Sequence, residues 1–233
     1  MGDKHLSSQF DAELNSISTR VLEMGGLVES QLRQAIYALI HLNEEAADLV
    51  IATESRVNQY EVEIDHDISS TIGRRQPTAR DLRLLVAISK TTANLERAGD
   101  EVAKMARMVK SIIDSGAHRS LPSSELRVAA DLASGLLRQS LDAFARLDVL
   151  MALKIIKDDT QIDDEYDGFL RKLITYIMED PRMISPSLDL LFLAKAIERV
   201  GDHAKNIAEA IIYVVKGTDV RHQTMEQLES AIK

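Results

Sequence analysis

Cysteine and tryptophan are absent from the 233-residue sequence, and aromatic residues make up only 4% of it. The absence of cysteine excludes disulfides, thiolate zinc sites, iron–sulfur clusters and a cysteine nucleophile, and it fits a reducing, cytoplasmic environment. With so few aromatic rings, the chain is not expected to form a stacking platform for single-stranded nucleic acid. Any metal ion would have to be bound by carboxylates, histidines or carbonyl groups.

Basic tracts and long apolar runs are also missing. The formal charge is −9 at pH 7. Such an acidic chain is a poor candidate for binding the phosphate backbone of a nucleic acid, and we expect no nucleic-acid partner. No segment approaches the roughly 18 apolar residues of a membrane span, and the first residues lack the apolar core of a signal peptide. We therefore expect a cytoplasmic protein; if it works at a membrane, a partner must hold it there.

Proline is scarce, and its positions divide the sequence. All four prolines lie at gaps between long proline-free segments: Pro77, Pro122, Pro181 and Pro186. None of these segments shows the sustained two-residue alternation of a strand. The sequence therefore predicts an all-α fold of six long helices, at about residues 8–41, 44–73, 78–115, 123–147, 149–180 and 186–216.

Residues that favour helix ends support these boundaries. Asn43, which is followed by two glutamates, is the predicted N-cap of the second helix. Ser185 stands before Pro186 and is the predicted N-cap of the sixth helix. Gly116 and Gly217 follow the third and sixth helices, where glycine favours termination.

The third and sixth predicted helices each carry a seam of apolar and small residues in alternating steps of three and four. A spacing of about 3.5 residues is typical of antiparallel bundles with coiled-coil-like packing. The seam residues are Leu85, Ile88, Thr92, Leu95, Gly99, Val102, Ala106, Val109 and Ile113 in the third helix, and Leu190, Leu193, Ile197, Val200, Ala204, Ile207, Ile211 and Val214 in the sixth.

The two halves of the chain resemble each other. Residues 32–43 match residues 137–148, and Leu95-Glu-Arg-Ala-Gly-Asp100 matches Ile197-Glu-Arg-Val-Gly-Asp202. Such a repeat predicts two tandem, pseudo-symmetric three-helix bundles. We expect the first bundle at residues 1–118 and the second at 119–233, divided near Ser120–Ser124. Because the boundary offers little linker, the halves are expected to pack together.

Acidic residues stand four apart at matching places in both halves. The pairs are Glu61 and Asp65, Glu96 and Asp100, Asp159 and Asp163, and Glu198 and Asp202. Residues four apart share one helix face, and seam residues directly before several of these acids keep them close to the core. If the second and third helices of each half are neighbours, four carboxylates converge per half. An all-oxygen cluster suits Mg²⁺, Mn²⁺, Ca²⁺ or iron.

The acidic pairs could equally be solvated helix faces, neutralised by Arg97 and Arg199. His66 and His203 each follow an acid and could add a nitrogen ligand, although adjacent positions lie about 100° apart on a helix. Glycine in a helix interior lowers stability by roughly 1 kcal/mol relative to alanine. Its presence beside both Glu-Arg pairs, at positions 99 and 201, suggests close approach of backbone, metal or a neighbouring helix.

Two other protein classes compete with a metal-binding helical protein. A di-iron carboxylate oxidase needs two Glu-x-x-His motifs in one bundle, and the sequence offers only Glu63-Ile-Asp-His66. That class is weakened but not excluded. A purely structural helical scaffold is the second alternative.

A local basic patch interrupts the acidic sequence. It consists of Arg74, Arg75, Arg80 and Arg83, and the second half has no comparable patch. It is either a solvated helix entry or a docking surface for phosphate or an acidic partner.

The paired Glu-Arg-x-Gly-Asp segments, together with Arg75-Gln-Pro-Thr-Ala-Arg-Asp-Leu-Arg83, resemble those of the PhoU family of phosphate-transport regulators. The segments Lys4-His-Leu-Ser-Ser-Gln-Phe10 and Tyr213-Val-Val-Lys-Gly217 are similar to that family as well. The resemblance covers nearly the whole chain. The combination of segments is specific, whereas a single Glu-x-x-x-Asp would not be.

The resemblance implies multinuclear metal sites at the Glu/Asp-x-x-x-Asp motifs. Carried over residue by residue, the ligands would be Glu61, Asp65, Glu96, Asp100, Asp159, Asp163, Glu198 and Asp202. Divalent or trivalent ions are expected there, from among magnesium, manganese, iron and zinc.

The resemblance also implies a regulator without enzymatic activity. It would act as an adaptor between the ATPase subunit of a phosphate ABC transporter and the phosphate sensor histidine kinase. In that role it would signal phosphate sufficiency, repress the phosphate-starvation regulon and restrain uptake. A homodimer, recruited from the cytoplasm to the inner membrane by its partners, is expected.

Overall fold

The computed structural model describes residues 8–116, 122 and 126–232. These residues form helices and contain no strand, so the predicted all-α class is confirmed. The helices are α1 (Ser8–His41), α2 (Glu44–Arg75), α3 (Ala79–Asp114), α4 (Leu126–Arg146), α5 (Val149–Asp158), α6 (Thr160–Glu179), α7 (Ile184–Lys216) and α8 (Met225–Ile232), with a 3₁₀ turn at Pro181–Met183. In the described part, no helix has both the length and the hydropathy of a membrane span.

The predicted junction between the two halves lies almost entirely outside the described residues. This applies to the boundary between 118 and 119, to the predicted start of the fourth helix at 123, and to Ser120–Ser124 apart from Pro122. The two-domain division therefore stays a prediction.

Several predicted helix ends are confirmed by their cap contacts. The side chain of Asn43 accepts a hydrogen bond from the N–H of Ala46 at 2.7 Å. Gly217 adopts a φ of 75°, and its N–H donates to the carbonyl of Tyr213 at 2.9 Å. Gly116, with a φ of 68°, follows Ser115, the C-cap residue of α3. These left-handed positions end α3 and α7 because glycine adopts them without steric strain.

The prediction of one continuous fifth helix at 149–180 is wrong, because the helix is interrupted at Asp159 and divides into α5 and α6. The N–H of Ile162 donates to the carbonyl of Asp159 at 2.9 Å, so the turn tightens locally. The hydroxyl of Thr160 donates to the carbonyl of Lys157 at 2.9 Å. Such a side chain competes with the backbone ladder, and the hydrophobic periodicity alone gave no sign of the break.

The start of the sixth predicted helix also differs. α7 begins at Ile184, two residues earlier than predicted, and its N-cap is Met183 rather than Ser185. The chain enters α7 directly from the 3₁₀ turn, which Asp180 caps by accepting from the N–H of Arg182 at 3.1 Å. Pro186 is tolerated because it stands in the first turn, where helical N–H groups have no internal partner.

The short helix α8 was not predicted. Its entry is a capping box, in which Gln227 accepts from the N–H of Thr224 at 2.9 Å and Thr224 accepts from the N–H of Gln227 at 3.4 Å. The spacing of Thr224 and Gln227 in the sequence carried this signal.

Two helix groups build the core. α1, α2 and α3 pack against one another, while α4, α5 and α6 pack against α7. α3 and α7 form the most extensive helix pair in the molecule, and α1 also contacts α4, so the two groups share one hydrophobic core. The predicted seams face that core: their residues are buried in α3 and α7, apart from the partly buried Ile113.

The contact between α1 and α4 depends on a glycine. A Cβ built on Gly25 would lie 2.3 Å from Cδ2 and 3.2 Å from Cγ of Leu141, whereas one built on Gly26 meets nothing within 4 Å. The whole Leu141 side chain would have to move to admit a methyl group at position 25. The absence of a side chain at Gly25 therefore sets the distance between the two helix groups.

We predict opposite effects of alanine at these adjacent glycines. Gly26→Ala should stabilise the protein by about 1 kcal/mol through helix propensity. Gly25→Ala receives the same propensity gain but overpacks the core, which typically costs about 1–3 kcal/mol. Urea unfolding should therefore show Gly25→Ala to be the less stable of the two variants. Equal stabilisation by both would contradict the close approach of α1 and α4.

Candidate metal centre

The predicted acidic residues lie in two clusters, one in each half of the chain. Cluster 1 is formed by side chains of the neighbouring helices α2 and α3, and cluster 2 by side chains at the α5–α6 break, on α6 and on the adjacent α7. Cluster 1 consists of Glu61, Asp65, Glu96 and Asp100; cluster 2 consists of Asp159, Asp163, Glu198 and Asp202.

The carboxylates of cluster 1 stand at the edge of a packed seam. Ile64, directly before Asp65, and Leu95, directly before Glu96, are fully buried. Neighbouring helical positions lie about 100° apart, so burial of these seam residues holds the acids beside the core. Glu61 and Glu96 are consequently half-buried, while Asp65 is exposed.

Burial and the charges of neighbouring acids raise the pKa values of the two glutamates in cluster 1. Partial burial raises the pKa of Glu61, and the charges of Asp65 and Asp100 raise it further. Burial also raises the pKa of Glu96, with added repulsion from Asp100 and Glu61. Each glutamate responds to the charge of an acid on the other helix. The guanidinium of Arg97 opposes both shifts.

Cluster 2 is the more deeply buried of the two. Asp159 is only 2% exposed, and burial raises its pKa. Burial likewise raises the pKa of Glu198, and Asp202 on the same helix and Asp163 on α6 add to the shift. The charge of an acid on α6 therefore acts on an acid of α7, as charges act between α2 and α3.

Two lysines of α7 bind acids of cluster 2. Nζ of Lys205 donates to Oδ2 of Asp159 at 2.9 Å, and Nζ of Lys195 donates to Oε1 of Glu198 at 2.6 Å. Both contacts oppose the upward pKa shifts of their acids. Oε2 of Glu198 is buried and has no hydrogen-bond partner among the described residues. A buried acceptor without a donor costs free energy, and a cation would satisfy it.

Neither cluster has the geometry of a formed metal site. Within the part of the chain that the structure describes, no three His, Asp or Glu side chains form a group that could hold one ion. The donor chemistry nevertheless fits, because carboxylate oxygens are the ligands that hard cations prefer. Rotation of carboxylates about their side-chain bonds would be needed to bring three oxygens to a single ion.

The two seam glycines mark close approaches of neighbouring helices. A Cβ at Gly201 would lie 2.7 Å from Cδ1 of Ile162 and 3.2 Å from Oδ1 of Asp159. A Cβ at Gly99 would lie 3.2 Å from Cγ1 of Val57. Close approach of a neighbouring helix therefore accounts for both glycines.

His203, which the sequence suggested as a nitrogen ligand, contacts the other half of the chain. Its Nδ1 lies 3.1 Å from Oδ1 of Asn94 on α3. Burial lowers the pKa of His203 to about 4, so the ring is neutral at pH 7. The contact joins α7 to α3 and leaves the acids of cluster 2 without an imidazole from this position.

The single Glu-x-x-His motif is also engaged elsewhere. Oε1 of Glu63 accepts from Nε2 of Gln59 at 2.8 Å, and Oε2 of Glu63 lies 3.5 Å from Nη1 of Arg20. A di-iron site would need this carboxylate, so the contacts weaken the oxidase alternative further.

Two of the four arginines of the predicted basic patch contact one carboxylate within the fold. Nε of Arg75 donates to Oε2 of Glu13 at 3.1 Å, Nη2 of Arg75 donates to Oε1 of Glu13 at 2.5 Å, and Nη2 of Arg74 lies 3.8 Å from Oε2 of the same carboxylate. These contacts tie α2 to α1. Docking of phosphate or an acidic partner at the patch stays a hypothesis.

The sequence reasoning missed the two lysines of cluster 2. Lys195 stands three residues before Glu198, and Lys205 stands three residues after Asp202. On a helix, residues three apart are neighbours, so Lys195 could have been assigned to Glu198. The contact between Lys205 and Asp159 joins different helices and needed the three-dimensional arrangement.

Comparison with known proteins gives matches along the whole chain. The family model described as the PhoU domain matches twice, at residues 21–109 and 126–211. The Phosphate-specific transport system accessory protein PhoU homolog of Burkholderia sp is 50% identical over 229 residues, which cover 98% of this chain and 97% of the relative. The Phosphate-specific transport system accessory protein PhoU of Escherichia coli (strain K12) is 45% identical over 230 residues, covering 99% and 95% of the two chains.

Solved structures show the same similarity. The crystal structure of PhoU from Pseudomonas aeruginosa matches with a TM-score of 0.86 and 42% identity, covering 90% of this chain and 100% of the other. That of the phosphate transport system regulatory protein PhoU from Streptococcus pneumoniae matches with a TM-score of 0.80 and 27% identity, covering 91% and 99%.

The repulsion in cluster 1 predicts that Glu96→Gln stabilises the metal-free protein at pH 7. The pKa of Glu96 is raised on folding, so ionisation of this side chain destabilises the folded state. The native protein has its full stability below the unfolded pKa and loses part of it as the pH rises through the folded pKa. In excess chelator, the variant should gain about 0.5–1 kcal/mol after solvent screening. That corresponds to about 1–4 °C in the thermal midpoint of a chain of this size.

The gain from Glu96→Gln should disappear towards pH 3, where the native glutamate is also neutral. Glu63→Gln is the matched control, because Glu63 has favourable contacts with Arg20 and Gln59 and its removal should not stabilise. A Glu96→Gln variant that is less stable than the native protein at pH 7 would contradict the repulsion.

Proposed function

Because this chain belongs to the PhoU family, we propose that it is an accessory protein of a phosphate-specific transport system. The observation that carries the proposal is similarity over nearly the full length, with 50% identity to a curated relative that bears this description. Both halves take part, since the family model matches each of them. Similarity confined to one bundle would have supported only a shared fold.

The finer role in the proposal is negative regulation. The chain links the phosphate ABC transporter, through its ATPase subunit, to the phosphate sensor histidine kinase. It represses the phosphate-starvation regulon and restrains uptake when phosphate is plentiful. In this proposal it works as a cytoplasmic homodimer and reaches the inner membrane through those partners. An adaptor of this kind performs no reaction, and the proposal assigns the chain no catalytic residue.

Metal binding at the acidic clusters is the physical basis of the proposal. Bound cations supply positive charge that offsets the repulsion among carboxylates. Two unit charges at 4 Å interact with about 1 kcal/mol in water and about 4 kcal/mol at an effective dielectric of 20. The raised pKa values of Glu61 and Glu96 are consistent with burial and with the charges of neighbouring acids at these positions. Magnesium, manganese, iron and zinc are the candidate ions.

Metal occupancy regulates the adaptor only if partners or ions distinguish two arrangements of the helices. A ligand shifts such an equilibrium by no more than its differential affinity for the two states. The acids of each cluster come from two different helices, and occupancy of a cluster therefore restrains those helices relative to each other. In the proposal, partners read the surface that these restrained helices present.

The metal assignment predicts that Glu96→Ala combined with Asp100→Ala lowers the bound metal. After loading with Mn²⁺ and dialysis, metal content by plasma emission should fall measurably relative to the native chain. The matched control is Glu44→Ala with Asp48→Ala, which removes the same charge at the same spacing on α2. Both of those acids already bind Lys110. Equal metal content in all three proteins would reject the assignment.

The regulatory role predicts a phenotype for deletion of the gene. In phosphate-rich medium, loss of the protein should raise expression of a phosphate-regulon reporter, because the signal of phosphate sufficiency no longer reaches the kinase. Expression of the native chain from a plasmid should restore repression. A reporter that does not respond to deletion would exclude the adaptor role.

A further inference from the structure

The acidic residues of the two clusters correspond position by position, but the residues beside them do not. In α3 and α7 the correspondence between halves is an offset of 102 residues, which matches Glu96 to Glu198 and Asp100 to Asp202. At the same offset, Lys195 corresponds to Ala93 and Lys205 to Ala103. The duplication therefore preserves the acids, while only the second half carries lysines at these two positions.

Both lysines of cluster 2 are held in place by direct contacts. Lys205 extends from α7 to the break between α5 and α6, where it donates to the almost fully buried Asp159 at 2.9 Å. Lys195 donates to Glu198 at 2.6 Å and lies 5.2 Å from the ring centroid of Tyr166, within range of a cation–π interaction. Charge-assisted hydrogen bonds of this length are among the stronger ones in proteins.

Within the described residues, the four acids of cluster 1 form no ion pair within 4 Å. Two basic side chains of α3 stand near them in sequence, but Lys104 donates to Glu101 at 2.8 Å and Arg97 is exposed. Arginine occupies the corresponding position in α7 as well, where Nη1 of Arg199 lies 3.6 Å from Oε1 of Glu101 on α3. Arg97 opposes the upward pKa shifts of the two glutamates in cluster 1 through its charge alone. The clusters therefore differ in direct contact, which the lysines of α7 make with the acids of cluster 2.

We infer that Lys195 and Lys205 serve as built-in counter-cations of cluster 2, so that cluster 1 binds divalent metal more tightly than cluster 2. This rests on the proposed metal binding. In cluster 2 an incoming ion must displace ammonium groups from the oxygens of Asp159 and Glu198, whereas in cluster 1 it meets carboxylates that no described lysine or arginine contacts directly. The occupancy of cluster 1 thus follows the metal concentration, whereas the charge of cluster 2 is partly neutralised by its lysines at all times.

The test is Mn²⁺ binding to the full native chain, with free Mn²⁺ measured by its paramagnetic resonance signal. The native chain should show a tight class of sites and a weaker class. Glu96→Gln with Asp100→Asn should abolish the tight class. Glu198→Gln with Asp202→Asn, the matched variant in the second half, should leave the tight class unchanged.

Exchanging lysine and alanine at the positions that differ between the halves tests directly whether the lysines weaken metal binding. Lys195→Ala with Lys205→Ala introduces the side chains found in the first half, and it should tighten Mn²⁺ binding at cluster 2 by about tenfold or more. Ala93→Lys should weaken the tight class by a similar factor. Helix content by circular dichroism is measured for every variant. Should the double lysine variant fail to fold, Ala93→Lys, at a partly exposed position, still decides the question.

The results separate this inference from the proposal on which it rests. Two classes of equal affinity in the native chain, or unchanged affinities after the lysine exchange, would overturn the inference while leaving metal binding in place. A native chain that binds no Mn²⁺ in either class would overturn both.

Discussion

In each half of this protein, carboxylates on two neighbouring helices are kept close together because the seam residues beside them belong to the core. Ile64 and Leu95 are fully buried in the first half, and Ile162 and Ile197 are buried in the second. The acids cannot separate without unpacking those side chains, since a helix fixes the direction of each position relative to the next. Their repulsion therefore belongs to the folded state, and a positive charge close to the acids would offset part of it.

The two halves repeat the same acidic residues but place different positive charges beside them. Cluster 2 contains lysines that reach its acids from α7, while the acids of cluster 1 have the charge of Arg97 nearby but no direct contact with a described lysine or arginine. The halves are also joined by contacts between α3 and α7, including Asn94 with His203 and Glu101 with Arg199. In the proposed adaptor role, a change in the charge of one cluster would act on a helix that packs directly against the other half.

Regular features of the sequence were sufficient to predict most of the fold. The seams in α3 and α7, the cap at Asn43 and the left-handed glycine at 217 all follow from strong local signals, and the structure confirms them. The break at Asp159 was not predictable from periodicity, because apolar residues on both sides keep the helical spacing. The lysine contact with Asp159 joins residues 46 positions apart, and local spacing carries no information about such a pair. The placement of the acids of each half on neighbouring helices was predictable from their spacing, whereas among the described residues no three of them form a group that could hold one ion.

The central claim, that bound cations offset carboxylate repulsion in the folded state, is tested most directly by the thermal unfolding midpoint of chelated protein as Mn²⁺ is added back at pH 7. An ion that binds only the folded chain stabilises it by about 2.7 kcal/mol at a hundred times its dissociation constant. The account predicts a midpoint that rises steadily with the logarithm of Mn²⁺ concentration once the sites begin to fill. A midpoint that stays constant over the whole titration would contradict it.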